Sequence, residues 1–470
     1  MSLRKIVATI GPATASEAAI RRLAAGGMNV ARLNGSHATL EWHAATIGLL
    51  RAAAPAVPIL LDIPGRKIRT VQLAHEPTFA SGDTIVLTTD VSHDGREKVP
   101  VNYGELHRDL ASGDVILADD GQLRFTVLRI AGRDIVCRAD AAGTLRSAKG
   151  INVPLVMLRT ALVTDRDRRM LEFARAHGVD LVGISFVETA RHVSAIRDLI
   201  GGARPRIVAK IENRGAMDHL EEIVAEADAI MIDRGDLSVE TTLESVALSQ
   251  KRILGVARRV ACPVIVATEM LHSMIASASP TKAEVSDITN AVLDGASALM
   301  LSGETAIGAF PFEAVSTMRR IVDHAARFAE GVQAAQADDA IPPAMSDAVG
   351  LLCARTPITK IVAVTISGFA AQMVASQHPR QPILAVSNDA ANARAFNLLP
   401  GVTGVHLDMA FSKRSTDHIP RCLEHLWRES LVDDTDLVLV VAVGYPKSGN
   451  RMNLIEVHRV ADLRQALGWA

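Results

Sequence analysis

The chain has 470 residues, which is enough for two to four domains with full hydrophobic cores. Hydrophobic residues make up 49% of it, but no apolar run approaches the ~18 uninterrupted residues of a membrane helix, so we expect a soluble globular protein with no membrane partner. The formal net charge is −2 and 3% of the residues are aromatic, which predicts no nucleic-acid partner.

The N-terminus carries no recognisable targeting signal. Residues 1–5 lead directly into a strand-like run, with no secretory apolar region, and we therefore expect a cytoplasmic location. The cysteines are widely spaced and form no paired motif, which indicates neither disulfides nor a cysteine metal site; they are Cys137, Cys262, Cys353 and Cys422.

Eight apolar, strand-like runs recur along the first 302 residues, and amphipathic stretches such as 16–25, 39–53 and 165–177 separate most of them. This alternation is typical of parallel strands joined by helices, and eight such units predict a (β/α)8 barrel rather than an open sheet. We assign the barrel to residues 1–69 and 158–331. The runs are 5–11, 28–34, 58–62, 181–187, 206–212, 229–233, 264–269 and 297–302.

The pattern changes between the third and fourth runs. Residues 70–157 contain short alternating runs separated by turn signals such as Ser81-Gly82-Asp83 and Ser112-Gly113-Asp114. This predicts an inserted all-β domain. Because the insertion follows the third barrel strand, it leaves from the rim where the strands end and can cover that rim as a lid.

A second α/β pattern follows the barrel. We predict a linker at residues 332–344 and a C-terminal α/β domain at 345–470, with strands near 360–365, 382–386 and 437–443. The loop containing Thr365, Ser367 and Gly368 joins the first of these strands to a helix, where backbone N–H groups could bind an anionic effector. A plain helix N-cap explains Ser367 equally well.

Charged side chains follow the fifth and sixth barrel runs. Lys210, Glu212 and Asp236 come at the ends of two parallel strands, so they should meet at one rim of the barrel. Two neighbouring carboxylates need a cation between them, and an ammonium group beside a divalent ion suits the handling of phosphate oxygens. The alternative is a surface salt bridge.

Other strand ends carry similar chemistry. Arg32 and Arg69 offer planar guanidinium groups that fit phosphate, and the oxygens of Asn34, Ser36 and Asp62 suit a hard cation. The seventh and eighth runs also end in hydroxyls and carboxylates. Any one of these residues could be a capping group, but the convergence of six strand ends favours a functional site.

These motifs resemble those of the pyruvate kinase family over nearly the whole chain. The resemblance implies a barrel with an inserted lid and a C-terminal effector domain, usually in a homotetramer. It also implies the glycolytic reaction of phosphoenolpyruvate with ADP to give pyruvate and ATP. The matching segments are 5–12, 27–34 with Ser36-His37, 149–154, 210–213, 234–237, 267–268, 280–295 and 301–306.

The resemblance also implies roles for individual residues. Glu212 and Asp236 are expected to bind Mg²⁺, with Mn²⁺ as a possible substitute, and Lys210 to stabilise the transferred phosphoryl group. The N–H groups near Gly235 and Asp236, with the Thr268 hydroxyl, are expected to hold the substrate carboxylate. Catalytic roles fall to Lys210, Arg32 and Thr268, and nucleotide or phosphate binding to Arg32, Asn34, His37 and Arg69.

One departure from the family concerns a monovalent cation. Many members bind potassium with oxygens corresponding to Asn34, Ser36, Asp62 and the carbonyl of Ile63, and have a glutamate where this chain has Lys67. A tethered ammonium near that pocket could supply the field of the ion. We therefore predict that potassium is not required; the alternative is a solvated loop lysine.

Further departures leave ordinary activity open. Asp233 and Ser238 replace smaller residues, Glu188 replaces a basic residue, and Glu269 and Ile307 replace a glutamine and a lysine. Extra carboxylates could raise metal affinity or repel substrate phosphate. In the C-terminal loop, no hydroxyl follows Gly368 directly, so fructose 1,6-bisphosphate, another phosphorylated metabolite or no effector all fit.

Two alternative functions differ in class. One is a magnesium-enolate lyase or aldolase on the same barrel, against which Lys210, Arg69 and the lid argue. The other is a catalytically weakened paralogue that binds effectors through its C-terminal domain, for which the substitutions described above are the main support.

Overall fold

The computed structural model describes residues 4–119, 121–154, 156, 159, 161–328, 341–412, 415–444 and 452–469. Within these residues no helix is both long and apolar enough to cross a membrane. The predicted fold class is confirmed: the chain forms a closed eight-stranded parallel barrel, an additional β domain and a C-terminal α/β domain.

The barrel strands follow one another in chain order around the closed sheet, and the first strand pairs with both the second and the eighth. Their side chains are almost entirely buried, because helices cover the outside and side chains fill the inside, as their apolar runs require. The strands are Lys5–Thr9, Val30–Asn34, Ile59–Ile63, Leu181–Ile184, Arg206–Ile211, Ala229–Asp233, Val264–Ala267 and Ala298–Leu301.

Several of the barrel helices begin at residues with capping side chains. Ser16 accepts a hydrogen bond from the Ala19 N–H, and Thr164 and Asp167 form a reciprocal capping box. The α-helices are Glu17–Gly26, Leu40–Ala53, Asp165–Ala176, Ala190–Ile200, Arg214–Asp218, Leu220–Glu226, Arg234–Glu240, Val246–Arg259, Lys282–Leu293, Gly303–Ala306 and Pro311–Ala326. Two 3₁₀ turns, Leu243–Ser245 and His272–Ile275, lie between them.

The inserted domain has its own apolar core and a seven-stranded sheet. In spatial order its strands are Ile68–Arg69, Gly150–Asn152, Val115–Ala118, Leu123–Ala131, Asp134–Ala139, Thr84–Thr88 and Val99–Pro100. A two-stranded sheet, Thr78–Phe79 with Gly143–Thr144, and a short helix, Leu106–Asp109, complete it. The sheet therefore starts just before residue 70, and one helical turn interrupts the predicted all-β pattern.

The C-terminal domain is a five-stranded sheet with helices. Its strands are, in spatial order, Val402–His406, Ile383–Ser387, Lys360–Val364, Leu437–Ala442 and Leu454–Arg459, of which the last is antiparallel. Its helices are Ile341–Arg355, Phe369–Ser376, Ala390–Ala395, His418–Arg428 and Val460–Leu467, with a 3₁₀ turn at Phe396–Leu398. The predicted linker, 332–344, lies outside the described residues except for 341–344, which are helical.

The C-terminal domain contacts the end of the barrel where the strands begin. The Lys5 ammonium donates to the Val402 carbonyl over 2.6 Å, and Arg206, the first residue of the fifth strand, donates to the Ser367 carbonyl over 2.6 Å. Leu398 packs among the side chains that fill the inside of the barrel. The opposite rim, where the strands end, is left to the inserted domain and the candidate site.

Candidate active site

A cavity of about 390 Å³ opens at the rim where the barrel strands end. Every residue that the sequence assigned to catalysis, substrate, phosphate or cation binding lies in its wall. These residues are Arg32, Asn34, Ser36, His37, Asp62, Ile63, Lys67, Arg69, Lys210, Glu212, Gly235, Asp236 and Thr268. The parallel register of the strands brings these distant sequence positions together.

Lys210 lies at the centre of a group of carboxylates. Its Nζ is 2.6 Å from Glu212 Oε1, 3.2 Å from Asp233 Oδ2 and 3.7 Å from Asp62 Oδ2, and it also donates to Ser185 Oγ over 3.1 Å. Burial lowers the pKa of Lys210, but the carboxylates, Glu212 foremost, raise the pKa well above its ordinary value. The contacts hold the Lys210 ammonium in place, and the raised pKa favours its charged form.

Three carboxylates are crowded beside this ammonium. Oxygens of Glu212, Asp233 and Asp236 lie within 4.8 Å of one another, and Glu212 Oε2 accepts the Phe186 N–H over 2.5 Å. Burial, and then the neighbouring carboxylates, raise the pKa values of Glu212 and Asp236. Crowded hard oxygen donors of this kind fit Mg²⁺, whose charge relieves their repulsion.

Arg32 is held by Asp62 rather than projecting freely. Its Nε and Nη2 lie 2.8 Å and 2.6 Å from Asp62 Oδ2, and its Nη1 donates to Thr9 Oγ1 over 3.1 Å. Asp62 has room because the neighbouring strand carries Gly183, where a Cβ would lie 1.8 Å from Asp62 Oδ1. A glycine on one strand thus permits the ion pair on the next.

Lys67 pairs with a predicted metal ligand. Its Nζ lies 2.5 Å from Asp236 Oδ1 and 5.4 Å from the centre of the Phe186 ring. Lys67 shares the cavity with Asn34, Ser36 and Asp62, but its ion pair is on the carboxylate side of the cavity. This differs from the expectation of an ammonium directed at the monovalent-cation pocket.

Thr268 has an unusual backbone and a central hydrogen bond. It and Glu269 have φ values of 68° and 57°, in the left-handed region that few non-glycine residues adopt. Arg234 donates to the Thr268 carbonyl over 2.7 Å and forms an ion pair with Asp287. The Thr268 hydroxyl accepts the Gly235 N–H over 3.0 Å, so the N–H predicted for the substrate carboxylate already has a partner.

The opposite side of the cavity is basic. The His37 side chain is exposed to solvent, and its pKa is lowered by partial desolvation and then by Arg69, Arg32 and Arg166. Arg166 donates to the Gly35 carbonyl over 3.0 Å; sequence reasoning missed it, although it follows the Thr164 cap in the first turn of a helix. Asn34 is engaged locally, because its Oδ1 accepts the Ser36 N–H over 3.1 Å. The cavity therefore has one cationic side and one carboxylate-rich side.

Two protein-family models match the chain. The model for the pyruvate kinase barrel domain matches residues 1–315, and the model for the pyruvate kinase alpha/beta domain matches residues 343–458. The chain belongs to the pyruvate kinase family of phosphotransferases.

Similar pyruvate kinases include those of Mycobacterium tuberculosis (strain CDC 1551 / Oshkosh), 37% identical over 470 residues, and Agrobacterium vitis, 36% identical over 478 residues. The first alignment covers 97% of this chain and 98% of that protein, and the second covers 98% of each. The pyruvate kinase of Clostridium perfringens is 34% identical over 484 residues, covering 98% of this chain and all of that protein. The similarity thus spans all three parts of the fold.

The lid of this pyruvate kinase family member contacts the helix that carries Asp236. Asn152, at the end of a lid strand, donates to Glu240 Oε1 over 2.7 Å. Burial, with a contribution from Asp236, raises the pKa of Glu240 to about 7. Sequence reasoning did not single out Glu240, whose contact depends on how the lid sits on the barrel.

The departures from the pyruvate kinase pattern lie in different environments. Glu188 pairs with the buried Arg66 over 2.8 Å, so its charge is compensated locally. Asp233 and Glu269 line the cavity, whereas Ile307 is 67% exposed. The Ser238 hydroxyl donates to the Gly235 carbonyl over 2.7 Å, within the same helix.

The C-terminal loop is locally satisfied. The Gly368 N–H donates to Thr365 Oγ1 over 3.0 Å, while the Ser367 carbonyl accepts from Arg206. Gly368, not Ser367, is the N-cap of the helix Phe369–Ser376. Its φ of 90°, and the 2.4 Å between an added Cβ and the Phe396 ring, require glycine there. An effector role for this loop stays a prediction.

Proposed function

We propose that this protein transfers a phosphoryl group from phosphoenolpyruvate to ADP, giving pyruvate and ATP. The observation that carries the proposal is the cavity itself: a buried ammonium, Lys210, is paired with a carboxylate cluster and shares the cavity with Arg32 and Arg69. Phosphoryl transfer passes through a loose transition state that needs positioning and positive charge more than covalent assistance. The cavity offers both.

Glu212 and Asp236 are the residues we propose as ligands of Mg²⁺, or of Mn²⁺ in its place. Such an ion supplies Lewis-acid stabilisation of the charge that develops on phosphoryl and substrate oxygens. Lys210 supplies a fixed positive charge from a second direction, since its ammonium is held against three carboxylates. Arg32, Arg69, Asn34 and His37 line the side proposed to hold the nucleotide phosphates.

Thr268 and the N–H groups of Gly235 and Asp236 are proposed to hold the substrate carboxylate. For that to happen, the Gly235 N–H must exchange its bond to the Thr268 hydroxyl for one to the substrate. The Thr268 hydroxyl, which also donates to the Ala267 carbonyl over 2.6 Å, is then proposed to lie beside the enolate carbon. A threonine hydroxyl is too weak an acid to protonate carbon alone, so we propose that it orients the substrate or relays a proton through water.

Replacing Lys210 with methionine tests this proposal. Because the ammonium acts mainly on the transition state, we expect Lys210→Met to lower kcat for pyruvate formation about 10³-fold or more, with little change in KM for phosphoenolpyruvate. Lys251→Met, which removes an exposed lysine paired with Asp294, is the matched control and should leave both constants unchanged. Near-normal turnover in Lys210→Met would remove Lys210 from this role. A folded wild-type protein without turnover would favour the effector-binding paralogue.

We also propose that potassium is not required, because Lys67 places a tethered ammonium in the cavity. Wild-type protein assayed with Mg²⁺, in buffer free of potassium and ammonium ions, should therefore be fully active. Lys67→Met should lower that activity, and added potassium should restore part of it. An enzyme that is inactive until potassium is added contradicts the proposal.

The cellular setting and assembly are proposals of the same kind. We propose a cytoplasmic, glycolytic enzyme that assembles as a homotetramer, with the domain limits given by the sequence patterns. The support for the assembly is the resemblance to the pyruvate kinase family, whose members are usually homotetramers.

A further inference from the structure

Asp233 occupies an unusual position for a carboxylate. It is the last residue of the sixth barrel strand, it is buried, and its Oδ2 lies 3.2 Å from Lys210 Nζ. One of its oxygens also lies within 4.8 Å of one oxygen each of Glu212 and Asp236. A third carboxylate in such a crowded cluster is costly unless it has a defined partner.

Glu212 has two incompatible tasks in this cavity. It is the nearest carboxylate to Lys210, at 2.6 Å, and it is also a proposed ligand of the divalent ion. An ammonium that depended on Glu212 alone would compete with the ion for that carboxylate. It would also lose its anchor once Glu212 had turned to the ion.

Asp62 is poorly suited to replace Glu212 as the anchor. It lies 3.7 Å from Lys210 Nζ, and the same oxygen, Oδ2, already accepts a hydrogen bond from Arg32 Nε and lies 2.6 Å from Arg32 Nη2. Asp233, in contrast, lies closer to Lys210, at 3.2 Å. The other lysine of the cavity, Lys67, forms its ion pair with Asp236 and not with Asp233. Asp233 is thus the carboxylate best placed to hold Lys210 independently of Glu212.

We propose that Asp233 is a positioning residue for Lys210: it keeps the ammonium in place and leaves Glu212 available to a divalent ion. This inference rests on the proposed phosphotransferase function. It assigns a role to a residue that would otherwise be a third metal ligand or an unfavourable extra charge.

A double-mutant cycle on metal binding tests the inference without turnover. Mn²⁺ affinity is measured by calorimetry, in the absence of substrates, for wild type, Asp233→Asn, Lys210→Met and the double variant. If Asp233 draws Lys210 away from Glu212, Asp233→Asn should weaken Mn²⁺ binding about tenfold more in the wild-type background than in the Lys210→Met background. A direct ligand, or a carboxylate acting only through its field, would weaken binding by the same factor in both backgrounds and overturn the inference.

Controls keep this cycle interpretable. Glu269→Gln removes an exposed carboxylate from the same cavity wall. It should change Mn²⁺ affinity by the same factor in the wild-type and Lys210→Met backgrounds. Lys210→Gln provides a second cycle if the methionine variant does not fold, as judged by thermal unfolding. An Asp233→Glu variant, which keeps the carboxylate, should restore part of the Mn²⁺ affinity lost in Asp233→Asn.

Turnover then separates this inference from the proposed function. Asp233→Asn should lower kcat for pyruvate formation with little change in KM for phosphoenolpyruvate, because a misplaced Lys210 fails mainly in the transition state. An active wild type with equal Mn²⁺ factors in the two backgrounds would leave the proposed function standing and overturn the role of Asp233. An inactive wild type with the predicted Mn²⁺ coupling would overturn the proposed function and leave the role of Asp233 standing.

Discussion

At the scale of single residues, the cavity depends on where side chains are missing as well as on where they are charged. Gly183 is an example, because the space above its Cα is filled by Asp62, which in turn holds Arg32 through a hydrogen bond and an ion-pair contact to one oxygen. The identity of Arg32 makes phosphate binding chemically possible, but Gly183 allows the guanidinium to be fixed. Fixed charge is what an electrostatic site requires.

Gly183→Ala should therefore damage the site through Asp62. The new Cβ would lie 1.8 Å from Asp62 Oδ1, so the carboxylate must move and its ion pair with Arg32 must weaken. We expect a loss of about 1–3 kcal/mol in the free energy of unfolding, measured with denaturant, and a clear fall in kcat/KM. Gly48→Ala is the control, since nothing lies within 4 Å of its added Cβ in an exposed part of a helix; it should stabilise by about 0.5–1 kcal/mol. Equal behaviour of the two variants would contradict this account.

At the scale of elements, the sequence predicts which residues share the cavity better than it predicts which partners their side chains contact. The ends of eight parallel strands had to share one rim, so many residues of the cavity could be named in advance, and the family resemblance added others such as His37 and Lys67. The ion-pair partner of Lys67 could not be named from the sequence. It depends on side-chain torsions and on the position of the lid strand Gly150–Asn152, which lies against the Lys67 side chain. The left-handed backbone at Thr268 likewise depends on contacts made by Arg234.

Two strands of the C-terminal sheet escaped prediction for a related reason. Val402–His406 contains a glycine and polar residues, and Leu454–Arg459 is an edge strand whose side chains are largely accessible. Neither has the continuous apolar run that marks a central parallel strand. Their pairing partners, which are distant in sequence, supply what their own composition lacks.

The junction of lid and barrel should respond to pH through Glu240. Its pKa of about 7 lies above the ordinary value of 4.5, so the folded protein binds the proton more tightly than the unfolded chain. This contribution to stability is present at low pH and is lost as pH rises from about 4.5 to about 7. Besides Asn152, the groups that act on Glu240 are Asp236, Lys67 and Glu188.

Glu240→Gln should remove this part of the pH dependence while keeping an acceptor for Asn152. We expect Tm to fall less between pH 5 and pH 7.5 in this variant than in wild type. Glu244→Gln removes an exposed carboxylate a few residues away and should leave the wild-type pH dependence in place. An unchanged pH dependence in Glu240→Gln would show that Glu240 is not protonated in the folded state.

At the scale of the whole molecule, the two ends of the barrel are used differently. The rim where the strands end holds the charged cavity and the lid, whereas the other end rests on the C-terminal domain. The strand that begins at Arg206 connects the two ends: Arg206 contacts the Ser367 carbonyl at one end, and Lys210 and Glu212 lie at the other. Leu398 extends the hydrophobic filling of the barrel into the C-terminal domain.

Leu398→Ala should therefore uncouple the domains as well as weaken them. The lost side chain leaves a cavity where the two units meet, which costs about 2–5 kcal/mol. Denaturant unfolding of the two domains can be followed separately by tryptophan fluorescence, because Trp42 lies in the barrel and Trp427 in the C-terminal domain. Single-tryptophan variants isolate each signal. We expect the two transitions to separate in Leu398→Ala. Leu423→Ala, buried within the C-terminal core alone, should shift mainly the Trp427 transition. Coincident transitions in Leu398→Ala, at lowered stability, would mean that the polar contacts of Lys5 and Arg206 suffice to couple the domains.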